Sequence, residues 1–231
     1  MEKRLASRSL LFAALLLSGL LFSFTPLAAE ILINEVDADT PGTDAAEFLE
    51  LYDGGVGNSS LTGYVLVFYN GATDQSYLAL DLDTLSTDGT GFFVAGNTGV
   101  PGVDLVFAGN ILQNGADAVA LYTGNAVDFP VNTPVTTTNL VDALVYDTSD
   151  ADDAGLVVLL NAAQPQIDED SGGNSDVVSN QRCPDGSGGA RNTTTYSQAN
   201  PSPGLLNTCP LPPVAVAIHD VQGNGALSPL A

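Results

Sequence analysis

The sequence predicts an all-β fold, a sandwich of short strands joined by tight turns. Two observations predict it. Short apolar runs rich in Val, Leu, Phe and Tyr recur along the chain, each bounded by Gly, Pro, Asn or Asp. The composition of 24 Gly, 13 Pro, no Trp and 14% charged residues suits many strands and loops better than long helices. With 231 residues and 45% hydrophobic content, the chain is long enough to bury one mid-sized core.

Residues 31–53 organise the rest. Ile31 and Ile33 can face one way, with Leu32 turned to the other. Pro41-Gly42 marks a turn, and a second run holds Phe48 and Leu51 with Glu47 and Glu50 among them. Glu35, Asp37, Asp39, Asp44, Glu47, Glu50 and Asp53 crowd this stretch without a Lys or Arg. Carboxylates packed that way repel, so something must solvate or bind them.

The remaining elements follow in order. Residues 54–58 are a loop, and residues 61–71 a strand closed by the hairpin signal Asn70-Gly71. Residues 76–80, 91–97 and 103–107 read as further strands. Asn114-Gly115 turns into a strand that ends at Thr123, and residues 140–147 form the next. The apolar run at 156–160 reads as one more strand, and residues 172–195, rich in Gly, Ser and Asn, as an irregular closing segment. Phe48, Leu66, Phe93, Leu121 and Tyr146 are expected in the core rather than against a ligand.

Residues 1–29 have the plan of a secretory signal peptide. Lys3, Arg4 and Arg8 precede an apolar run, and small residues close it, with cleavage expected after Ala29. The run is short of the roughly 20 residues a bilayer span needs, so no stable membrane insertion is expected after cleavage. Export and an even count predict one disulfide between Cys183 and Cys209. A loop of that size is worth about 3.5 kcal/mol in the chain-entropy account.

The formal net charge is -22. Without residues 1–29, Arg182 and Arg191 face 26 acids, a net of -24. That excludes affinity for phosphate backbones as a design principle, so no direct nucleic-acid binding is expected. Each of the two arginines is expected to pair with a carboxylate. The only His is His219, and no G-x-S-x-G, P-loop or H-E-x-x-H pattern is present, so no catalysis by this chain is expected. Calcium is the better chemical prospect, because it takes carboxylate and carbonyl oxygens from loops. Asp37, Asp39 and Asp44, with Glu47 across the turn, are the first candidate set. Asp147, Asp150, Asp152 and Asp153 form a second, and Asp168, Glu169 and Asp170 a third.

Several ordered motifs resemble the bacterial lamin-tail domain. They begin with Ile33-Asn34-Glu35-Val36 and Glu47-Phe48-Leu49-Glu50-Leu51. Leu61-Thr62-Gly63-Tyr64 and Gly91-Phe92-Phe93-Val94 follow, then Asn114-Gly115-x-Asp117-x-Val119-x-Leu121 and Val141-Asp142-x-Leu144-x-Tyr146. Ser179-Asn180-Gln181-Arg182, Asp185-Gly186, Pro203-Gly204 and Asn207 close the set. Tyr64 stands where the family more often has Trp. The resemblance covers residues 30–209 and implies an immunoglobulin-like β-sandwich there. Residues 210–231 begin as a Pro-rich linker and continue with Ile218-His219-Asp220-Val221-Gln222-Gly223. This tail resembles the start of the OB-like domain in large secreted bacterial nucleases. In those proteins a lamin-tail domain comes first, and a metal-dependent endonuclease/exonuclease/phosphatase domain last. The resemblance implies a secreted, non-catalytic accessory module whose partners are downstream nuclease domains absent from this chain. The alternative expectation is a free-standing extracellular binding or adhesion protein, contacting cell-surface material and stabilised by calcium.

Overall fold

The computed structural model describes residues 30–210. The expected signal peptide and the tail beyond Pro210 lie outside the described residues. The strands are β1 (Leu32–Asp37), β2 (Phe48–Tyr52), β3 (Tyr64–Asn70), β4 (Gln75–Asp81), β5 (Phe92–Gly96) and β6 (Leu105–Val106). They continue as β7 (Asp117–Thr123), β8 (Leu140–Asp147), β9 (Ile167–Asp168), β10 (Ser179–Arg182) and β11 (Tyr196–Ala199). Helix among the described residues is limited to 3-10 turns of three or four residues. None is long and apolar enough to cross a membrane.

Two sheets form, and the all-β expectation holds. The first runs β11-β10-β1-β2-β5-β6 and the second β4-β3-β7-β8-β9. Pairing is antiparallel except where the two-residue strands β6 and β9 add in parallel. Ile33, Val36, Leu49, Leu51, Phe93 and Ala95 of the first sheet meet Leu66, Phe68, Val119, Leu121, Leu144 and Tyr146 of the second. Burying each such side chain contributes about 1.5–3 kcal/mol. The second sheet is also covered outside. Val65, Val67, Tyr69, Ala118, Ala120, Tyr122, Ala143 and Val145 pack against Phe129, Leu156, Leu159 and Leu160. Burial on both faces explains why β3 and β7 read as nearly unbroken apolar runs. Along β4, the chain around Pro134 covers one end of the edge, with Ser76 N donating to Thr133 O at 2.9 Å.

Four expectations change. Residues 156–160 are not a strand but a 3-10 turn at Val157–Leu159. Asp153 Oδ1 accepts from Gly155 N (2.7 Å) and Leu156 N (2.9 Å), which starts a turn, and the leucines lie flat on the second sheet. The closing segment is not irregular throughout, because it supplies β10 and β11. Phe48 is buried, but on the outer face of the first sheet with Val94 and Val100 instead of between the sheets. Leu66, Phe93, Leu121 and Tyr146 are in the inter-sheet core as expected. Arg191 does not pair with a carboxylate through its side chain. Its guanidinium donates to the carbonyls of Leu159 (2.6 Å), Leu160 (3.2 Å) and Val158 (3.3 Å), which the short turn leaves unsatisfied.

Arg182 behaves as expected. Its Nη2 lies 2.9 Å from Asp142 Oδ2, and both side chains are fully buried. Its remaining N–H groups reach the carbonyls of Ile33, Ser187, Gly189 and Asn192. Asp142 also accepts from the backbone N–H groups of Ile33, Ala143 and Arg191, the donor set of an ionised carboxylate. β1 is bulged between Ile33 and Glu35, which turns the Ile33 backbone toward this pair.

Candidate functional site

Strand alternation decides what the outer face of the first sheet presents. Leu49 and Leu51 point inward, so Glu50 points out beside Phe48. Residues 183–186 and 200–209 cross this face as a strap and bury its acids, with Glu35 and Glu50 fully covered. A buried carboxyl needs donors, and the strap and its neighbours supply them. Glu35 accepts from Ser179 Oγ (2.5 Å), Gln181 Nε2 (3.0 Å), Ser202 N (2.9 Å) and Ser202 Oγ (3.0 Å). Glu50 accepts from Gly204 N (2.7 Å) and Asn34 Nδ2 (2.9 Å). Asp185 accepts from Asn34 Nδ2 (3.0 Å) and Asn207 N (3.1 Å), while Asn207 Nδ2 donates to Arg182 O (2.8 Å). The expected disulfide between Cys183 and Cys209 is present and closes the strap, with Cα atoms 5.2 Å apart. Burial pushes the Glu50 carboxyl up to about 9, against the pull of the Asn34 amide, so it carries a proton at neutral pH.

The strap leaves a cleft of about 340 Å³ uncovered. Phe48 and Val100 form its floor, with Pro41, Pro101, Pro201 and Pro203 among its walls. Asp37 sits at its margin, 4% exposed, with Oδ1 lacking any hydrogen-bond partner. Burial first, and then the negative charges of Glu35, Asp39, Asp44 and Glu47, push its carboxyl up to about 8. At neutral pH it is therefore protonated, with its unpartnered Oδ1 closed off from solvent beside the apolar cleft. A second hollow of about 330 Å³ shares Pro101 and Pro203 and extends the cleft past Val94 to Asp104 and the exposed Leu205.

The first calcium candidates are placed differently from one another. Asp37 faces the cleft. Asp39 accepts from Ser175 Oγ (2.6 Å) and Asn114 Nδ2 (3.2 Å), and Asp44 Oδ1 accepts from Thr40 N (2.9 Å). Two of the three thus hold loops together. Glu47 is fully buried with Oε1 unpartnered, and burial raises its carboxyl to about 7. In the third set, Glu169 is fully buried and raised to about 10, by burial first and by Asp37 next. Among the described residues, no three or more His, Cys, Asp or Glu side chains are grouped to hold a metal ion. In the second set, Asp150 and Asp153 line a polar pocket with Asp117, whereas Asp147 is tied to Gln166.

Sequence reasoning missed that Phe48 would line a cleft and that Glu35 and Glu50 would be buried. The signal for both was present: Phe48 and Glu50 share strand parity, opposite to Leu49 and Leu51. The chain matches no family model, no curated protein and no solved structure.

Proposed function

We propose that residues 30–209 form an exported, non-catalytic module of the lamin-tail type, with an immunoglobulin-like sandwich. It serves as the accessory part of an extracellular nuclease. One observation carries this reading. The residues of the ordered motifs, Asn34, Glu35, Glu50, Gln181, Arg182, Asp185 and Asn207, spend their polar groups on one another and on the strap. Groups so engaged build a scaffold; they are not free to move protons or hold a reacting phosphate. The disulfide fits an oxidising compartment.

The test has two parts. The purified chain lacking residues 1–29 is incubated with supercoiled plasmid and magnesium, manganese or calcium, and no nicking is expected. Nicking that survives repurification overturns the non-catalytic reading. The coding DNA after the Ala231 codon is then read, and OB-like and metal-nuclease sequence is expected. A stop codon there with no such sequence downstream overturns the accessory role.

The cleft favours a second reading, a free-standing extracellular binding protein. An apolar floor walled by prolines, with Asp37 and Asp176 at its margin, suits an extended apolar peptide. Fluorescently labelled chain should then decorate intact cells, and Val100→Asp should abolish the decoration. Equal labelling by the variant removes this reading.

A further inference from the structure

A second polar hollow lies at the opposite kind of place, between three loops of the second sheet. The β3–β4 turn contributes Asn70, Gly71 and Ala72. The approach to β7 contributes Gln113, Gly115, Ala116 and Asp117, and the loop after β8 contributes Asp150, Ala151 and Asp153. Its volume is about 350 Å³. The chain builds it from backbone necessity. Asn70-Gly71 closes a hairpin, and Gly71 N donates to Ala116 O (3.1 Å) and to Asp117 Oδ1 (3.1 Å). A side chain on Gly71 would run into the Ala116 carbonyl and come within 3.0 Å of Asp153 Oδ2. Asp117 and Asp153 are thereby brought to the same glycine from two directions.

Two oxygens in this hollow have nothing to do within the protein. Asp117 is 3% exposed, and its Oδ2 has no partner. Asn70 Oδ1 is also buried and unpartnered, because its amide nitrogen donates to Gln113 Oε1 (2.8 Å) and fixes the oxygen's direction. Asp153 uses Oδ1 for Gly155 N and Leu156 N and leaves Oδ2 beside Gly71. Asp74 packs against Gly155, and its carboxyl shares a hydrogen bond with the Asp153 carboxyl. The two arginines among the described residues are engaged elsewhere, by Asp142 and by the 157–159 turn. A buried carboxylate oxygen left without a donor costs about 1–3 kcal/mol unless something occupies it.

We propose that this hollow is a calcium site in which Asp117 Oδ2, Asn70 Oδ1 and Asp153 Oδ2 supply the protein ligands and water completes the shell. The donor set is all oxygen, two carboxylates with a neutral amide, which selects a hard cation over a thiolate- or imidazole-seeking metal. Two carboxylates do not make a three-acid cage, in keeping with the absence of such a group among the described residues. With so few charges the affinity belongs to the weak range of extracellular modules, a dissociation constant of about 10⁻⁴–10⁻³ M. Magnesium is disfavoured, because loops of this kind do not impose its tight octahedron.

The test uses the chain lacking residues 1–29 in 150 mM sodium chloride, at about the salt where exposed charges are screened within about 8 Å. Calcium chloride is titrated while amide resonances are followed by NMR. The expected result is a saturable shift centred on Gly71, Ala116 and Asp117, accompanied by a rise in melting temperature that magnesium chloride does not reproduce. Asp117→Asn should weaken calcium binding by about tenfold or more, whereas Asp39→Asn and Asp152→Asn leave it unchanged. If Asp117→Asn does not fold, Asn70→Ala serves, because it removes a ligand without removing charge. Shifts spread over every acidic loop, equal effects of calcium and magnesium, or undiminished binding in both variants would overturn the site.

Discussion

Arg182 of β10 and Asp142 of β8 join the two sheets through a buried ion pair, Nη2 to Oδ2 at 2.9 Å. The pair holds the bulged backbone of Ile33 from both sides, since Asp142 Oδ2 accepts from Ile33 N and Arg182 Nε donates to Ile33 O (2.7 Å). The Arg182 guanidinium also lies 4.9 Å from the Tyr196 ring centre. Replacing Arg182 with Met leaves Asp142 buried and unpaired. Urea denaturation should show a loss of about 3–5 kcal/mol. Arg182→Lys should not rescue it, because an ammonium cannot reach Asp142 and four carbonyls together. A lysine variant as stable as the parent would contradict this geometry.

Cutting the disulfide should loosen the strap more than the sandwich. Cys183→Ser with Cys209→Ser is expected to lower stability by about 3.5 kcal/mol. Hydrogen exchange should quicken first at Ser202, Gly204 and Asn207, whose amides are held by Glu35, Glu50 and Asp185. Uniform quickening through β3 and β7 would mean that the strap is integral to the core.

Stability should fall with rising pH. Asp37 and Glu50 keep their protons in the folded chain to about 8 and about 9, and lose them near 4 once unfolded. Between those limits the unfolded chain binds fewer protons, so each unit of pH favours unfolding. The contribution is full below about pH 4 and gone above about 9. The melting temperature should therefore drop between pH 5 and 9, and Glu50→Gln should flatten that slope. The exposed Asp152→Asn is the control and should leave the slope alone. A flat profile in the parent protein would refute the burial argument.

Phe48 and Phe93 should differ on truncation. Phe93→Ala opens a cavity between the sheets and is expected to cost about 3–5 kcal/mol. Phe48 is buried too, but in the small outer cluster with Val94 and Val100 beside the cleft, so Phe48→Ala should cost less than Phe93→Ala and enlarge the cleft. Denaturation midpoints of the two variants decide it.

What could be read from the residues depended on how each element is stabilised. The Asn70-Gly71 hairpin and the runs that became β3, β5, β7 and β8 were legible, because apolar patterning and turn chemistry agree there. β10 was not, because Ser179, Asn180, Gln181 and Arg182 are all buried yet polar, and side-chain hydrogen bonds replace apolar contact. The 156–160 run misled for the converse reason: its apolar residues serve a turn that Asp153 caps. At the cleft, Asp37 was recognisable as unusual. That Asp39 and Asp44 hold loops instead depends on Ser175, Asn114 and Thr40, two of them far along the chain.

The sheet margins carry a last consequence. β6 and β9 are stubs of two residues, and the chain around Pro134 lies along one end of β4. A second molecule thus finds open hydrogen-bonding rim among the described residues chiefly along β11 and the uncovered end of β4, residues 77–81. Strand addition by a second molecule is therefore confined to these two rims, and the acidic coat that holds molecules apart there weakens in strong brine.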